Sequence, residues 1–121
     1  MPASYRIDSH AGVVFTVCEG RVTNEELMDH QRRLSADPDV RPTMNHVMDL
    51  RGVTEVALTA LGVRSIASRR VFASGSRSAI IARDASSYGY LEMFQAIRSH
   101  SGEDIRVFWT VEDAYRWLGL E

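Results

Sequence analysis

Six residues of the 121-residue chain have the types and positions from which a small-molecule site is built: Asp49 and Arg51, Arg83 and Asp84, Ser86, and Tyr88. They follow stretches that read as β-strands. In open α/β sheets, ligands gather outside the carboxyl ends of the strands, where loops and helix N-termini converge. Arg51 and Arg83 would add positive charge to the helix ends and favour an anionic head group, while Ser86 would supply a hydroxyl and Tyr88 an aromatic wall. Asp49 and Asp84 oppose that potential unless each is tied to an arginine or a backbone amide. The plainer reading of the aspartates is that pairing, with Arg51 and Arg83. The sharper one is a small hydrolase or transferase that uses Asp49, Arg51, Arg83 and Asp84.

Other chemistries lack their residues. The histidines at 10, 30, 46 and 100 form no His-x-x-x-His pair and Cys18 is the only cysteine, so no metal site and no cofactor are expected. Ser74-Gly75-Ser76 lacks the strand-turn-helix context that exposes a nucleophile and reads as a loop. No phosphate-cradling or dinucleotide fingerprint occurs. A lone Cys18 makes no internal disulfide, and the cytoplasm is the expected location. The first residues lack the apolar core of a signal peptide, and every apolar run falls far short of the ~20 residues that span a bilayer.

Net charge is −2, with 14 basic residues, all arginine, against 16 acidic ones. That balance disfavours general nucleic-acid binding. It is unevenly spread: no acidic residue lies between Glu55 and Asp84, where Arg64, Arg69, Arg70, Arg77 and Arg83 contribute +5, leaving −7 elsewhere. The bland account of this island is solvation and pairing with acidic neighbours; the other is a surface for an anion or a partner.

The elements that must position these groups are punctuated regularly, without repeats or linkers, so residues 1–121 read as a single domain. Tyr5-Arg6-Ile7-Asp8 and Val13 to Cys18, joined through His10-Ala11-Gly12, predict a β-hairpin. Thr23-Asn24-Glu25-Glu26 is a capping box that starts a first helix, with Val22 and Leu27 spaced as a hydrophobic staple and Asp37-Pro38 as the stop. His30 lies beside the apolar stripe of that helix, a position usual for a hydrogen-bonded core histidine. Val47 to Leu50 predicts a third strand ending at Arg51-Gly52, and Leu58 to about Arg70 a second helix capped by Thr59.

Leu61, Val63, Ile66 and Ala67 of that second helix do not share one stripe, and Val71 and Phe72 follow it. Cover by a second subunit would account for them, so a homodimer is expected. Ser78 to Ala82 suits a buried parallel strand. Tyr90, Met93, Phe94 and Ile97 give a third helix one apolar face, with Gly102 as its stop. Ile105 to Trp109 is the last strand, and Thr110 with Asp113 caps a fourth helix whose inner face is Ala114, Trp117 and Leu118. Strands alternating with helices imply an α/β fold with a mixed, mainly parallel sheet of four or five strands, about four helices, and the hairpin as an antiparallel edge.

The hairpin, the run Gly20-x-Val22-Thr23-x-Glu25-Glu26-Leu27, the strand end Asp49-Leu50-Arg51-Gly52-Val53-Thr54, the Tyr88-Gly89 start of the third helix and Ala114-x-x-Trp117-Leu118 together resemble the SpoIIAA-like, or STAS/SEC14-type, bacterial domain family. The resemblance covers nearly the whole chain. It implies a helix-backed sheet, commonly a homodimer, and no catalytic residue set. It points to a non-enzymatic regulatory or ligand-binding domain acting through a protein partner or a small, lipid-like or anionic ligand. The related anti-sigma-factor antagonists carry a phosphorylatable serine in an Asp-Ser-Ser-Gly type sequence after the third strand. Here the corresponding stretch is Val56 to Gly62, which leaves Thr59, or else Thr54, as the stand-in acceptor.

Overall fold

The hairpin forms where the alternation places it, with β1 (Ala3–Asp8) and β2 (Val13–Thr23) antiparallel from Ala3 opposite Cys18 to Asp8 opposite Val13. Gly12 makes the return at φ +70°, a region that a Cβ would strain. This is a computed structural model, and it describes residues 3–85, 88–99 and 102–120. After the hairpin come α1 (Asn24–Ala36), β3 (Asn45–Ala57), α2 (Ala60–Ser68), β4 (Arg77–Ile81), α3 (Tyr88–Ser99), β5 (Asp104–Phe108) and α4 (Val111–Leu118). One sheet holds the five strands in the order β1-β2-β3-β4-β5, with every pair after the first parallel.

That order decides where the helices lie. Three successive right-handed crossovers, each stepping to the next strand in the same direction, put their helices on the same face of the sheet. α1, α2 and α3 therefore share one face. α4 follows the last strand and folds onto the other, where Ala114 and Trp117 join Val13, Val47, Ala79 and Ile81 in a core cluster. The two-residue period of the strands sorts their side chains accordingly. Val14 and Thr16 of β2, His46 and Met48 of β3, and Ser78 and Ile80 of β4 face the three helices, and all but Met48 are nearly or wholly buried.

Three helices begin on threonine caps. Thr23, Thr59 and Thr110 accept from the backbone N–H groups of Glu26, Gly62 and Asp113. The Glu26 carboxylate turns back as the capping box requires, but it accepts from the Thr23 hydroxyl at 3.0 Å, because Thr23 is also the last residue of β2. α2 is shorter than the sequence suggests, and its Val63 and Ile66, with Phe72 beyond it, are buried within the one chain. Those residues therefore need no second subunit to cover them.

β2 and β3 are longer than expected. Alternation alone ends them near Cys18 and Arg51-Gly52, yet they stay paired as far as Thr23 opposite Ala57, across register shifts near Glu19 and Gly20. Neither glycine favours a strand. The mutual ladder and the burial of Val22 and Val53 carry the pair onward. β1 and β4 do not extend so far, so the sheet ends in a two-stranded ribbon that overhangs the helix-covered face. No helix among the described residues is long and apolar enough to cross a membrane.

Candidate functional site

Between the sheet and α1, α2 and α3 lies a cavity of about 370 Å³. Its wall is mainly aliphatic, with Leu27 and Leu34 from α1, Met48 and Ile80 from the sheet, Val63 and Ile66 from α2, and Phe94 from α3. The two ends differ. At the carboxyl end of the strands the ribbon residues Val53, Thr54 and Val56 form a rim with Leu58, Arg83, Asp84 and Tyr90. At the amino end the wall turns polar, with His30 and Gln31 of α1, His46 and Ser78 at the starts of β3 and β4, and Arg98 and Glu103.

The rim is tied down by side-chain bonds to backbone. Tyr90 donates its hydroxyl to the Leu58 carbonyl at 3.0 Å, and Arg83 donates to the Val53 carbonyl while its Nε lies 3.4 Å from Asp84. These bonds join α3 and the loop after β4 to the β3 side of the opening.

The polar end is held by two buried groups. Thr16 Oγ1 lies 3.0 Å from His30 Nε2 and 2.8 Å from His46 Nε2, bridging the two rings. Tyr5, His30, His46 and Phe72 form a column, with His46 stacked on both His30 and Phe72. Burial disfavours the charged imidazolium, so His30 is pulled down to about 4 and His46 to about 3, each lowered further by nearby positive groups. Both are neutral at pH 7. Beside them Arg98 holds Glu103 through Nη1 at 2.9 and 3.0 Å and donates to the carbonyls of Ala67 and Arg69 at the end of α2. Burial raises the Glu103 carboxyl above its ordinary value, against the smaller opposing pull of the Arg98 charge.

The residues singled out from sequence divide between the two faces. Asp49 and Arg51 form a two-pronged pair, 2.7 and 2.9 Å, and Asp49 also accepts from the Arg51 backbone N–H. They share the strand parity of Val47 on the α4 side, where Glu112 and Tyr115 act on Arg51. The paired guanidinium holds the Asp49 carboxyl below its ordinary value. Neither residue lines the cavity. Arg83 and Asp84 do, at its rim, so the four are not brought into one crevice. Ser86 lies outside the described residues, as does the side chain of Tyr88, whose backbone opens α3. Thr54 is exposed on the rim, and Thr59 is an exposed cap whose hydroxyl also accepts from Asn24 Nδ2 at 3.0 Å. Burial pushes the Cys18 thiol up to about 12, helped by Asp49 and Glu26, so it stays protonated.

The polar end of the cavity was not legible as a site. Thr16, His30, His46 and Ser78 come from three strands and a helix, and no local spacing connects them. Strand alternation offered one signal: Thr16, placed between the buried Val14 and Cys18, faces inward. Arg98 offered none, since a charged residue near a helix C-terminus ordinarily points to solvent.

No family model matches the chain, and no curated protein does. Among solved structures the fold is similar to that of an uncharacterized protein of the DUF3478 family, with a SpoIIAA-like fold, from Shewanella loihica PV-4. The TM-score is 0.60 at 16% identity, over 96% of this chain and 91% of that one. At that identity it is a likeness of fold, to which this chain's opening hairpin, five-stranded mixed sheet and four helices conform.

Proposed function

We propose that this SpoIIAA-like domain is a non-enzymatic ligand-binding module that takes a small, largely apolar molecule between its sheet and α1–α3. The cavity of about 370 Å³ carries the reading. Small-molecule sites span ~300–1,000 Å³ and combine an aliphatic wall with a few placed polar groups, which is the composition found here. Filling such a space restores dispersion contacts that its lining otherwise lacks. The charged groups around it are engaged in holding the protein together: Arg98 with Glu103 and Arg83 with Asp84. That arrangement suits recognition better than turnover. A regulatory output would pass through the rim, because the rim bonds join the elements a ligand must part to enter.

Two measurements test this together. Thermal unfolding with octanoate, 1-octanol and inorganic phosphate is expected to show stabilisation by the eight-carbon compounds, since a ligand that binds the folded state raises its melting temperature. Leu58→Trp, which places a large side chain at the rim, is expected to abolish the shift. Native mass spectrometry should return the bound compound at unchanged mass. A chemically altered product would favour an enzyme over a binding module. Absence of any shift would remove the ligand-binding reading.

A further inference from the structure

The polar end of the cavity holds hydrogen-bonding capacity that the protein leaves unused. Thr16 has one hydroxyl proton and two imidazole Nε2 atoms within bonding distance, so it donates to one ring at most. The other ring must donate its own Nε2–H to the Thr16 oxygen, which in a neutral imidazole leaves Nδ1 as a bare acceptor. A ring that takes the Thr16 proton at Nε2 carries its own proton on Nδ1 and is a donor there. Thr16 thus limits the tautomers, and the two Nδ1 atoms present either an acceptor and a donor or two acceptors. Neither bonds a described residue.

Two further groups share this end. The Ser78 hydroxyl is on a residue 7% exposed, directly opposite His46 in the β3–β4 register, and it bonds no described residue. Gln31, 8% exposed, donates Nε2 to the Ile66 carbonyl at 2.9 Å and leaves Oε1 buried without a partner. A buried polar group left without a partner is costly, as Gln31 Oε1 is here, and the Ser78 hydroxyl and the imidazoles that line the cavity beside it add bonding capacity for an occupant to complete.

We propose that the cavity selects a neutral alcohol, bound hydroxyl first, with that hydroxyl against His30, His46 and Ser78 and its apolar body running toward the rim. The inference rests on the ligand-binding reading above and adds the chemistry and direction of the ligand. A hydroxyl both donates and accepts, so it matches an acceptor beside a rotatable Ser78 hydroxyl whichever tautomers Thr16 sets. A carboxylate matches less well: it offers no donor to the acceptor Nδ1 that every arrangement contains, and its charge would be buried where Arg98 is already neutralised by Glu103. An anionic head would instead have to stop at Arg83 on the rim.

The experiment is displacement of the neutral fluorophore N-phenyl-1-naphthylamine from the full chain by 1-octanol, methyl octyl ether and octanoate. Octanol is expected to displace it at about tenfold lower concentration than the ether, the effect of one or two hydrogen bonds to otherwise unpaired groups. Ser78→Ala should narrow that ratio, leaving displacement by the ether unchanged. Equal potency of octanol and ether overturns the proposal while leaving an apolar ligand site standing. So does octanoate as the best competitor, which would move the head group to Arg83. If the fluorophore does not bind and no compound shifts the melting temperature, the ligand-binding reading falls and the proposal falls with it.

Discussion

At the scale of single residues, the buried polar side chains are the informative ones, because each states a requirement that the surrounding fold must meet. Thr16→Val keeps the shape of the side chain and removes the oxygen that both imidazoles share. Chemical denaturation is expected to show a loss of about 1–3 kcal/mol, the cost of leaving a buried partner unsatisfied. The same histidines set a pH dependence. Their folded values, about 4 and 3, lie below the ordinary 6.5, so the unfolded chain takes up protons that the native state refuses. The stability they confer is complete above pH 6.5 and drains away as pH falls toward 4 and then 3. Glu103, raised by burial, works in the opposite sense at the acid end. Unfolding midpoints should therefore fall from pH 7 to pH 5, and flat midpoints over that range would mean the imidazoles are not held neutral. Arg98→Ala is expected to cost about 3–5 kcal/mol, since it strands a carboxylate whose side chain is 1% exposed. The sequence announced His30 as a core residue from its place on the helix stripe. It gave no notice of Arg98, whose partner Glu103 is reached only once α3 and β5 are assembled.

Elements were legible where a local rule sets their ends and obscure where pairing does. The threonine caps are local, and all three stand where the spacing put them. Thr23→Ala should lower stability by about 1 kcal/mol, read as a shifted denaturation midpoint with an unchanged slope. The overrun of β2 and β3 is set by a partner strand, which no window of sequence contains, and so the ribbon that rims the cavity went unread. α2 shows the same contrast. Its start is plain from Thr59, but its irregular stripe suggests missing cover, and the structure buries Val63, Ile66 and Ala67 within the chain while leaving Leu61 73% exposed. A Cβ on Gly62 would fall 2.1–2.3 Å from the side-chain atoms of Asn24, which is itself held by bonds to Thr59 in both directions. Gly62→Ala is expected to destabilise by about 1–3 kcal/mol, and Asn24→Ala in the same chain should return part of that loss by vacating the space. Additive effects of the two changes would show that the helices do not meet there.

For the molecule as a whole, alternation of strands and helices was enough to fix the fold class and the mixed sheet, but not the faces. The candidate residues share a position at or after strand ends, but strand parity sends Asp49 and Arg51 to the α4 side, while Arg83 and Asp84, beyond the end of β4, meet the cavity at its rim. Parity could be counted along β3. Which parity faced three helices and which faced one depended on the order of strands in space. That order, β1-β2-β3-β4-β5, is also the order in which a ribosome delivers them. Each strand can dock on an edge already formed, without waiting for one still to be made, and each crossover closes a short loop. Growth would be sequential, with the face that receives α4 left bare until every strand is in place. In a chain whose Trp109 is replaced by phenylalanine, Trp117 against Phe108 becomes the sole indole and marks that closing event. During stopped-flow refolding its fluorescence should follow, and never precede, the far-ultraviolet signal of the strands and the other helices. A chain released without the residues after Thr110 would present the uncovered apolar patch of Val13, Val47, Ala79 and Ile81, and it is in that state that a chaperone has something to hold.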